Sequence, residues 1–174
     1  PKLFCGVSAG TMDSLLNIYT SNRRLRDYDS YSPGGRPGLR PERATLVYCN
    51  LVRQCFKGLP LVIGGIEASL RRFTHYDFWE NRLRRSILLD SRADVLFYGM
   101  AEKSLLAFAN HLQGGGTLQN LPRIRGTARV HKDISYLPAN EILELSSHSE
   151  LCKSKESFLN NAIIIERESN PHNA

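Results

Sequence analysis

Three short apolar segments, each followed at once by small residues, restrict this chain to a few folds. They cover residues 3–7, 60–63 and 94–98, and the small residues that follow them are Ser8-Ala9-Gly10, Gly64-Gly65 and Gly99. Stretches in which apolar residues recur at helical spacing separate these segments. Such alternation is typical of an α/β domain with a parallel sheet. We therefore predict a parallel sheet with flanking helices over residues 1–131.

The helices can be located from their apolar stripes and from the residues that begin and end them. Thr11 can cap a first helix, Pro41 begins a second and Gly114 ends one over residues 102–113. Another is predicted around Trp79. The predicted buried stripes are Met12, Leu15, Leu16 and Tyr19 in the first helix, Ala44, Val47, Tyr48, Leu51 and Cys55 in the second, and Tyr76, Trp79, Leu83 and Ile87 in the helix around Trp79. In the remainder, residues 126–131 predict one more strand, and 140–145 and 150–168 predict a helical extension over 132–174.

The composition favours a globular domain and limits the kind of partner. With 41% hydrophobic and 23% charged residues, the 174-residue chain can bury a core. No apolar run approaches the roughly 20 residues that cross a bilayer, and the first residues lack the features of a signal peptide, so no membrane partner is expected. Residues 1–100 carry 15 Lys and Arg against 9 Asp and Glu, whereas the rest carries 8 of each. The basic half can meet an anionic ligand, although a preference for arginine codons explains the excess equally well.

The cysteines and histidines are informative chiefly about the compartment. Cys5, Cys49, Cys55 and Cys152 show no C-x-x-C spacing, and the five histidines are scattered. Cys49 and Cys55 lie six residues apart on a predicted helix, where they would point about 240° apart and could not bind one metal ion. We therefore expect reduced thiols, no metal site in this stretch and a cytoplasmic location.

The carboxyl ends of the three predicted strands form the candidate ligand site. Parallel α/β sheets bind ligands beyond these ends, and glycine there allows close approach of the backbone to a ligand. A helix that begins near Thr11 would direct free N–H groups to the same edge, which suits an anion. Ordinary turns explain the glycines equally well.

The run that follows Gly65 concentrates polar groups directly after a buried strand. Arg71 and Arg72 can bind an anion, and Glu67 or His75 can take part in hydrogen bonding or proton transfer. A salt-bridge network is the alternative interpretation, which we favour for Glu80 and Arg84 as an i,i+4 pair on a helix. At the rim of the sheet, Gly65 should accept valine with little loss of stability. The candidate cofactor-binding residues are Ser8, Gly10, Thr11, Gly64, Gly65, Glu67, Ser69, Arg71, Arg72 and His75.

Residues 21–41, here called the Arg-rich loop, combine arginine with proline and glycine and predict a long irregular loop. Long ordered loops in compact domains are usually functional. Tyr28 and Tyr31 lie among its arginines, a pattern compatible with phosphate contacts and base stacking. An RNA-binding module is therefore the alternative function, although no RNA-binding motif is present. Since the loop has few apolar anchors, we expect it to be mobile until a partner or an anion orders it.

Longer motifs make the chain similar to a known family. They are GVSAGTMDS (6–14), YTSNRRLR (19–26), RPERATLVY (40–48), GGIEASLRRFTHYDFW (64–79), RRSILLDSRADVLFYGM (84–100) and RGTA (125–128). With the closing ERESNPHNA (166–174) they resemble the N-terminal domain of the YgiQ-type radical SAM proteins, and the resemblance covers residues 1–174.

The resemblance implies an accessory domain of an enzyme whose catalytic barrel lies after Ala174. That barrel would bind a 4Fe-4S cluster and cleave S-adenosylmethionine, and it would be the partner of this domain within one chain. The domain itself would be non-catalytic and would supply a ligand-binding or substrate-recognition surface. No substrate follows from the resemblance.

The resemblance also implies a Rossmann-like domain of the cobalamin-binding type, in which Gly64-Gly65 matches the G-G of the pattern. Two departures weigh against cobalamin itself, since the D-x-H-x-x-G motif would precede Pro1 and Ser8-Ala9-Gly10 replaces S-x-L. Because the chain opens at Pro1 directly on a predicted strand, we expect a segment of a longer protein whose sheet is incomplete at its N-terminus.

Overall fold

A computed structural model describes residues 2–135, 137–138 and 142–169. They form two compact units, one made of residues 2–73 and 86–130, the other of residues 74–85 and the described residues after 130. The strands are β1 (Cys5–Ser8), β2 (Leu61–Gly64), β3 (His75–Asp77), β4 (Arg82–Arg84), β5 (Val95–Phe97) and β6 (Thr127–Ala128). The helices are α1 (Ser14–Ile18), α2 (Ala44–Cys55), α3 (Gly65–Leu70), α4 (Ile87–Ser91), α5 (Glu102–Gln113), α6 (His148–Leu151) and α7 (Lys155–Ser169), with one 3-10 turn at Pro33–Gly35.

The first unit is built on a four-stranded sheet in the order β1-β2-β5-β6. β1 runs parallel to β2, with Ser8 opposite Gly64, and β2 runs parallel to β5. β6 is antiparallel to β5 and is shorter than the strand predicted over 126–131. The predicted α/β fold with a mostly parallel sheet is confirmed, and its architecture is Rossmann-like.

Both faces of this sheet are covered, because successive residues of a strand point to opposite sides. Ile63 packs on one side in a cluster with Cys49 of α2. Val62 and Phe97 pack on the other side in a cluster with Phe108 of α5. The Phe97 and Phe108 rings meet edge to face, with their centroids 5.6 Å apart. The uninterrupted apolar run of β2 follows from burial on both faces.

The first helix begins later than predicted. Asp13 caps it in place of Thr11, since its Oδ1 accepts a hydrogen bond from the Leu15 N–H at 2.9 Å. A carboxylate at this position satisfies one of the N–H groups that a helix leaves unpaired at its start. Met12 therefore precedes the helix and is exposed, as is Leu16, whereas both were expected to be buried.

The second helix begins after Arg43, whose φ of 50° is left-handed. Its buried residues are Ala44, Thr45 and Cys49, whereas Val47, Leu51 and Cys55 of the predicted stripe are exposed. A polar contact determines which side of α2 is buried: the Thr45 N–H donates a hydrogen bond to the buried Glu67 carboxylate at 3.1 Å. This bond fixes the first turn of α2 against Glu67, and Thr45 is buried there, a position that a stripe drawn through apolar residues alone does not include.

The prediction of a helix around Trp79 is wrong, because β3 and β4 form an antiparallel hairpin there. The Asp77 carboxylate accepts hydrogen bonds from the N–H groups of Trp79 and Glu80, at 2.9 and 3.0 Å, and so forms the turn. Asn81 then adopts a left-handed φ of 52°. Glu80 and Arg84 do pair, at 3.2 Å, but within this hairpin and not along a helix.

The last part of the chain is helical only in part. The helix predicted over 150–168 is present as two helices, α6 and α7. They are separate because the Ser154 hydroxyl accepts a hydrogen bond from the Ser157 N–H at 3.1 Å and caps the start of α7. Of the helix predicted over 140–145, residues 140 and 141 lie outside the described residues, and 142–145 are not helical. Among the described residues no helix, α7 included, is long and apolar enough to cross a membrane.

The Arg-rich loop is organised around the carboxylate of Asp29, which is 6% exposed. Arg40 donates to it twice, at 2.8 Å each. The Ser32 hydroxyl donates at 2.8 Å and the Tyr31 N–H at 3.0 Å. A polar anchor thus takes the place of apolar ones, while the rings of Tyr28 and Tyr31 remain exposed.

We predict that this anchor depends on the charge of Asp29. The hydrogen bonds from Arg40 lower the pKa of Asp29 to about 2. Because this value lies below the unfolded value of about 4, the stabilisation by the carboxylate is present above pH 4 and is lost as the pH falls toward 2. At neutral pH, Asp29→Asn should accelerate hydrogen exchange at the Tyr31 and Ser32 amides and leave the β2 amides unchanged.

Asp27→Asn is the matched control, since Asp27 is an exposed carboxylate of the same loop. It should leave exchange at Tyr31 and Ser32 at the wild-type rate. Identical exchange in wild type and Asp29→Asn would show that the ion pair does not hold the loop.

Candidate ligand-binding edge

Each of the three parallel strands is followed by a glycine with a left-handed backbone. The φ angle is 100° at Gly10, 81° at Gly65 and 68° at Gly99. Because Ser8 lies opposite Gly64 and β5 pairs with β2, the three glycines follow the same edge of the sheet. Residues with side chains rarely adopt these angles. We call residues 8–12, 64–70 and 98–100 the carboxyl edge.

The carboxyl edge is open at two of these glycines and tight at the third. At Gly10 and Gly99, no neighbouring atom lies within 4 Å of the position that a Cβ would occupy. At Gly65 the Ser8 Oγ lies only 2.8 Å from that position. The expectation that Gly65 accepts valine at little cost is therefore wrong, because the substitution would add a steric overlap to an unfavourable φ.

Several apolar side chains of the carboxyl edge are exposed. Met100 directly follows Gly99 and is 91% exposed, and Ile66, the second residue of α3, is 49% exposed. Met12 is exposed, as is its neighbour Thr11, whereas Ser69 is half-buried. Exposed apolar side chains clustered at one place mark surfaces that bind a ligand or a partner.

Glu67 lies beneath this surface and is 2% exposed. Its Oε2 accepts hydrogen bonds from the Ser14 N–H at 2.8 Å and from the Ser14 hydroxyl at 2.5 Å, and its Oε1 accepts one from the Thr45 N–H at 3.1 Å. The Ser14 hydroxyl accepts in turn from the Ala44 N–H at 3.1 Å. These four residues, here called the Glu67 junction, bind the starts of α1 and α2 to α3.

The Glu67 junction explains why the start of α1 is not a free anion site. Helix starts carry unpaired N–H groups and a partial positive charge, which a carboxylate stabilises. Here the chain supplies that carboxylate itself. Both oxygens of Glu67 accept hydrogen bonds from the chain, so the residue connects helices and does not point to a ligand.

The two arginines after α3 differ in their contacts. Arg71 forms an ion pair with Asp13, the residue that caps α1. The Arg72 guanidinium donates to the Ser69 carbonyl at 2.7 Å and lies 4.9 Å from the centroid of the Tyr98 ring. Since Tyr98 directly follows β5, Arg72 is the cation that borders the carboxyl edge.

His75 belongs to the second unit, where it lies in β3 opposite Arg84. The fold of the first unit thus brings together the other nine predicted site residues, from Ser8 to Arg72. Sequence reasoning missed Asp13 and Ser14. Their signal is an Asp-Ser pair at the start of a helix, where such residues commonly act as caps.

The described cysteines do not fit the ligand set of an iron–sulfur cluster, which needs several clustered thiolates. Cys49 is buried, and burial raises the pKa of its thiol to about 12. Cys5 is half-buried, and Cys55 and Cys152 are exposed. Within the described ranges, no group of three or more His, Cys, Asp or Glu side chains could hold a metal ion.

Comparison with known proteins places the chain in a family. The model of a family described as Radical SAM N-terminal matches residues 1–174. This chain belongs to the radical SAM N-terminal family. The predicted resemblance is confirmed.

Similar proteins carry the name UPF0313. One from Clostridium botulinum is 47% identical over 158 residues, which is 91% of this chain and 24% of that protein. One from Geobacter sulfurreducens is 45% identical over 172 residues (99% and 28%), and one from Bradyrhizobium diazoefficiens is 43% identical over 192 residues (100% and 28%). The radical SAM N-terminal chain thus spans about a quarter of the length of these curated relatives. No solved structure matches it.

We predict that alanine costs more at Gly65 than at Gly99. At both positions a left-handed alanine lowers the free energy of unfolding by about 1–2 kcal/mol. Gly65→Ala adds the overlap with the Ser8 Oγ, 2.8 Å away, whereas Gly99→Ala meets open space. Urea denaturation of both variants measures the difference.

Ser8→Ala removes the Ser8 Oγ and so tests whether this atom causes the extra loss of stability in Gly65→Ala. The extra loss at Gly65 should shrink when Gly65→Ala is made in a Ser8→Ala background, while the loss at Gly99 should not change. Equal losses at Gly65 and Gly99 in both backgrounds would show that the junction between β1 and β2 is not tight.

The Glu67 junction gives a second stability prediction. Glu67→Gln keeps the shape of the side chain but places an N–H₂ group against N–H and O–H donors, so the free energy of unfolding should fall by about 3 kcal/mol. Glu102→Gln, at an exposed glutamate in the first turn of α5, should change it by less than about 0.5 kcal/mol. Similar small losses in both variants would remove the junction from the determinants of the fold.

Proposed function

We propose that this domain recognises a ligand or substrate on behalf of the catalytic part of a radical SAM protein, and that it does so at the carboxyl edge. The observation that carries the proposal is the open, apolar surface around Gly10, Gly99 and Met100, with Met100 91% exposed. In a parallel α/β sheet this is the edge at which ligands bind.

The chemistry of the edge favours a mainly apolar ligand surface. Glu67 is bonded to helix starts, and Asp13 is paired with Arg71, so neither carboxylate faces outward as a free charge. The edge also offers apolar side chains, the hydroxyls of Ser8, Thr11 and Ser69 and backbone groups, with Arg72 at its border. A ligand that presents an apolar face and one anionic or acceptor group fits this arrangement.

Membership of the family implies a 4Fe-4S cluster and S-adenosylmethionine in the parent protein. Because the described cysteines do not fit a cluster, we propose that both groups are held by a catalytic domain in the same polypeptide, which supplies the radical chemistry. In that arrangement this domain binds and orients, in the cytoplasm, and the catalytic domain is its principal partner.

The full-length protein, reconstituted anaerobically, tests this role. Small-molecule extract of the source cells should raise the rate of 5′-deoxyadenosine formation above the background without extract. We predict that Ile66→Glu and Met100→Glu remove most of this stimulation. An apolar ligand bound at the edge would bury the new carboxylate without a partner, which costs binding free energy. The background rate should stay unchanged, since neither side chain supports the fold.

Leu51→Glu is the matched control, because Leu51 is 50% exposed on α2 and lies near the end of that helix remote from the Glu67 junction. It should keep full stimulation. Equal stimulation in all three variants would place recognition elsewhere in the protein.

The Arg-rich loop supports RNA as a second candidate partner. Tyr28 and Tyr31 are 66% and 53% exposed, and the Arg40 guanidinium lies 5.1 Å from the centroid of the Tyr31 ring. Exposed aromatic rings among arginines suit base stacking and phosphate contacts. This candidate would be favoured if the protein binds single-stranded RNA, if the affinity falls steeply with added salt and if Tyr28→Ala lowers it further. Stimulation by RNase-treated small-molecule extract would instead favour the first candidate.

A further inference from the structure

The second unit contains a cysteine and a histidine whose reactive atoms meet. His148 is the first residue of α6 and Cys152 follows its last residue, four positions later. Residues at this spacing lie on one face of a helix. The Cys152 Sγ lies 3.6 Å from the His148 Nε2, within the range of a hydrogen bond to sulfur.

The imidazole of His148 is held on its other side by a third residue. Its Nδ1 lies 3.2 Å from the Thr74 Oγ1, just before β3. One ring nitrogen therefore faces a hydroxyl and the other faces the thiol. A nucleophile, a base and a group that orients the base form the arrangement that activates nucleophiles in proteins.

The helix that carries this pair is itself fixed. Ser147 and Glu150 form a capping box, in which the Ser147 N–H donates to the Glu150 Oε2 at 2.7 Å. Leu151 is 4% exposed. The Asn161 side chain of α7 exchanges two hydrogen bonds with the Ser146 backbone, at 3.1 Å each. The geometry of the pair is therefore built into the fold of the second unit.

The other thiols lack this environment. Cys49 is buried in the core, and Cys5 is half-buried in β1. Cys55 is exposed like Cys152 but, among the described contacts, it has no histidine beside it. Cys55 is therefore an internal reference for an exposed thiol without a base.

We propose that Cys152 is a thiol–disulfide exchange site, activated by His148 and positioned through Thr74, and that it accepts a small disulfide of the glutathione class. The Cys152 sulfur attacks one sulfur of the disulfide, a new S–S bond forms and the old one breaks. The thiol proton passes to the His148 Nε2 and then to the leaving thiolate. The products are a mixed disulfide at Cys152 and one free small thiol.

The test exposes the full-length protein to oxidised glutathione, quenches it with acid and measures each mixed disulfide by peptide mass spectrometry. We expect Cys152 to react about tenfold faster than Cys55, because the His148 Nε2, 3.6 Å from its sulfur, can accept the thiol proton during the attack, whereas no such contact is described at Cys55. His148→Gln should reduce the rate at Cys152 to that of Cys55 and leave the rate at Cys55 unchanged. A Cys152 that reacts no faster than Cys55 in the wild type overturns the proposal.

Variants of Thr74 test the positioning without altering α6. Thr74→Val should slow the reaction of Cys152 several-fold, and Thr74→Ser should restore it because the hydroxyl returns. The melting temperature and the Cys55 rate report whether each variant is folded. Equal Cys152 rates in wild type, Thr74→Val and a folded His148→Gln would show that the pair is adventitious, which also overturns the proposal.

Discussion

The hydrogen bonds of one buried carboxylate hold the carboxyl edge together. Glu67 joins α3 to the starts of α1 and α2. It thereby holds in place the helix that follows β1, the helix that follows the Arg-rich loop and the helix that follows β2. Burial of a charge is costly unless hydrogen bonds compensate for it. Three such bonds and the partial positive charge of the helix starts provide that compensation here.

The same arrangement determines which chemistry the surface can offer. The charges that appear in the sequence as a concentrated polar run are used within the chain, Glu67 in its junction and Arg71 with Asp13. Asp29 repeats this pattern in the Arg-rich loop, where Arg40 satisfies a buried carboxylate. Ile66 and Met100 are exposed at the carboxyl edge, so a dense polar sequence leaves apolar side chains at its surface.

Sequence reasoning succeeded where runs of apolar residues determine an element and failed where the hydrogen bonds of a polar side chain do. β2, β5 and α5 follow from apolar runs with glycine after them. The hairpin was missed because its turn depends on the Asp77 carboxylate, and the spacing of Trp79 and its apolar neighbours also fits a helix. The positions of the strand-end glycines were predictable, whereas the role of Glu67 was not, since its partners Ser14 and Thr45 lie 53 and 22 residues away.

The exposed methionine of the carboxyl edge is the feature that most favours the proposed binding role over a purely structural one. A thioether in water adds nothing to the free energy of folding, and Met100 is 91% exposed beside a glycine that leaves the backbone accessible. Methionine is flexible and polarisable, so it adapts to the shape of an apolar partner. Burial of this side chain on binding would release free energy that folding of the isolated unit does not use. This gain supports the proposal that the carboxyl edge binds an occupant, and the hydrogen bonds of the Glu67 junction would keep the edge in place before such binding.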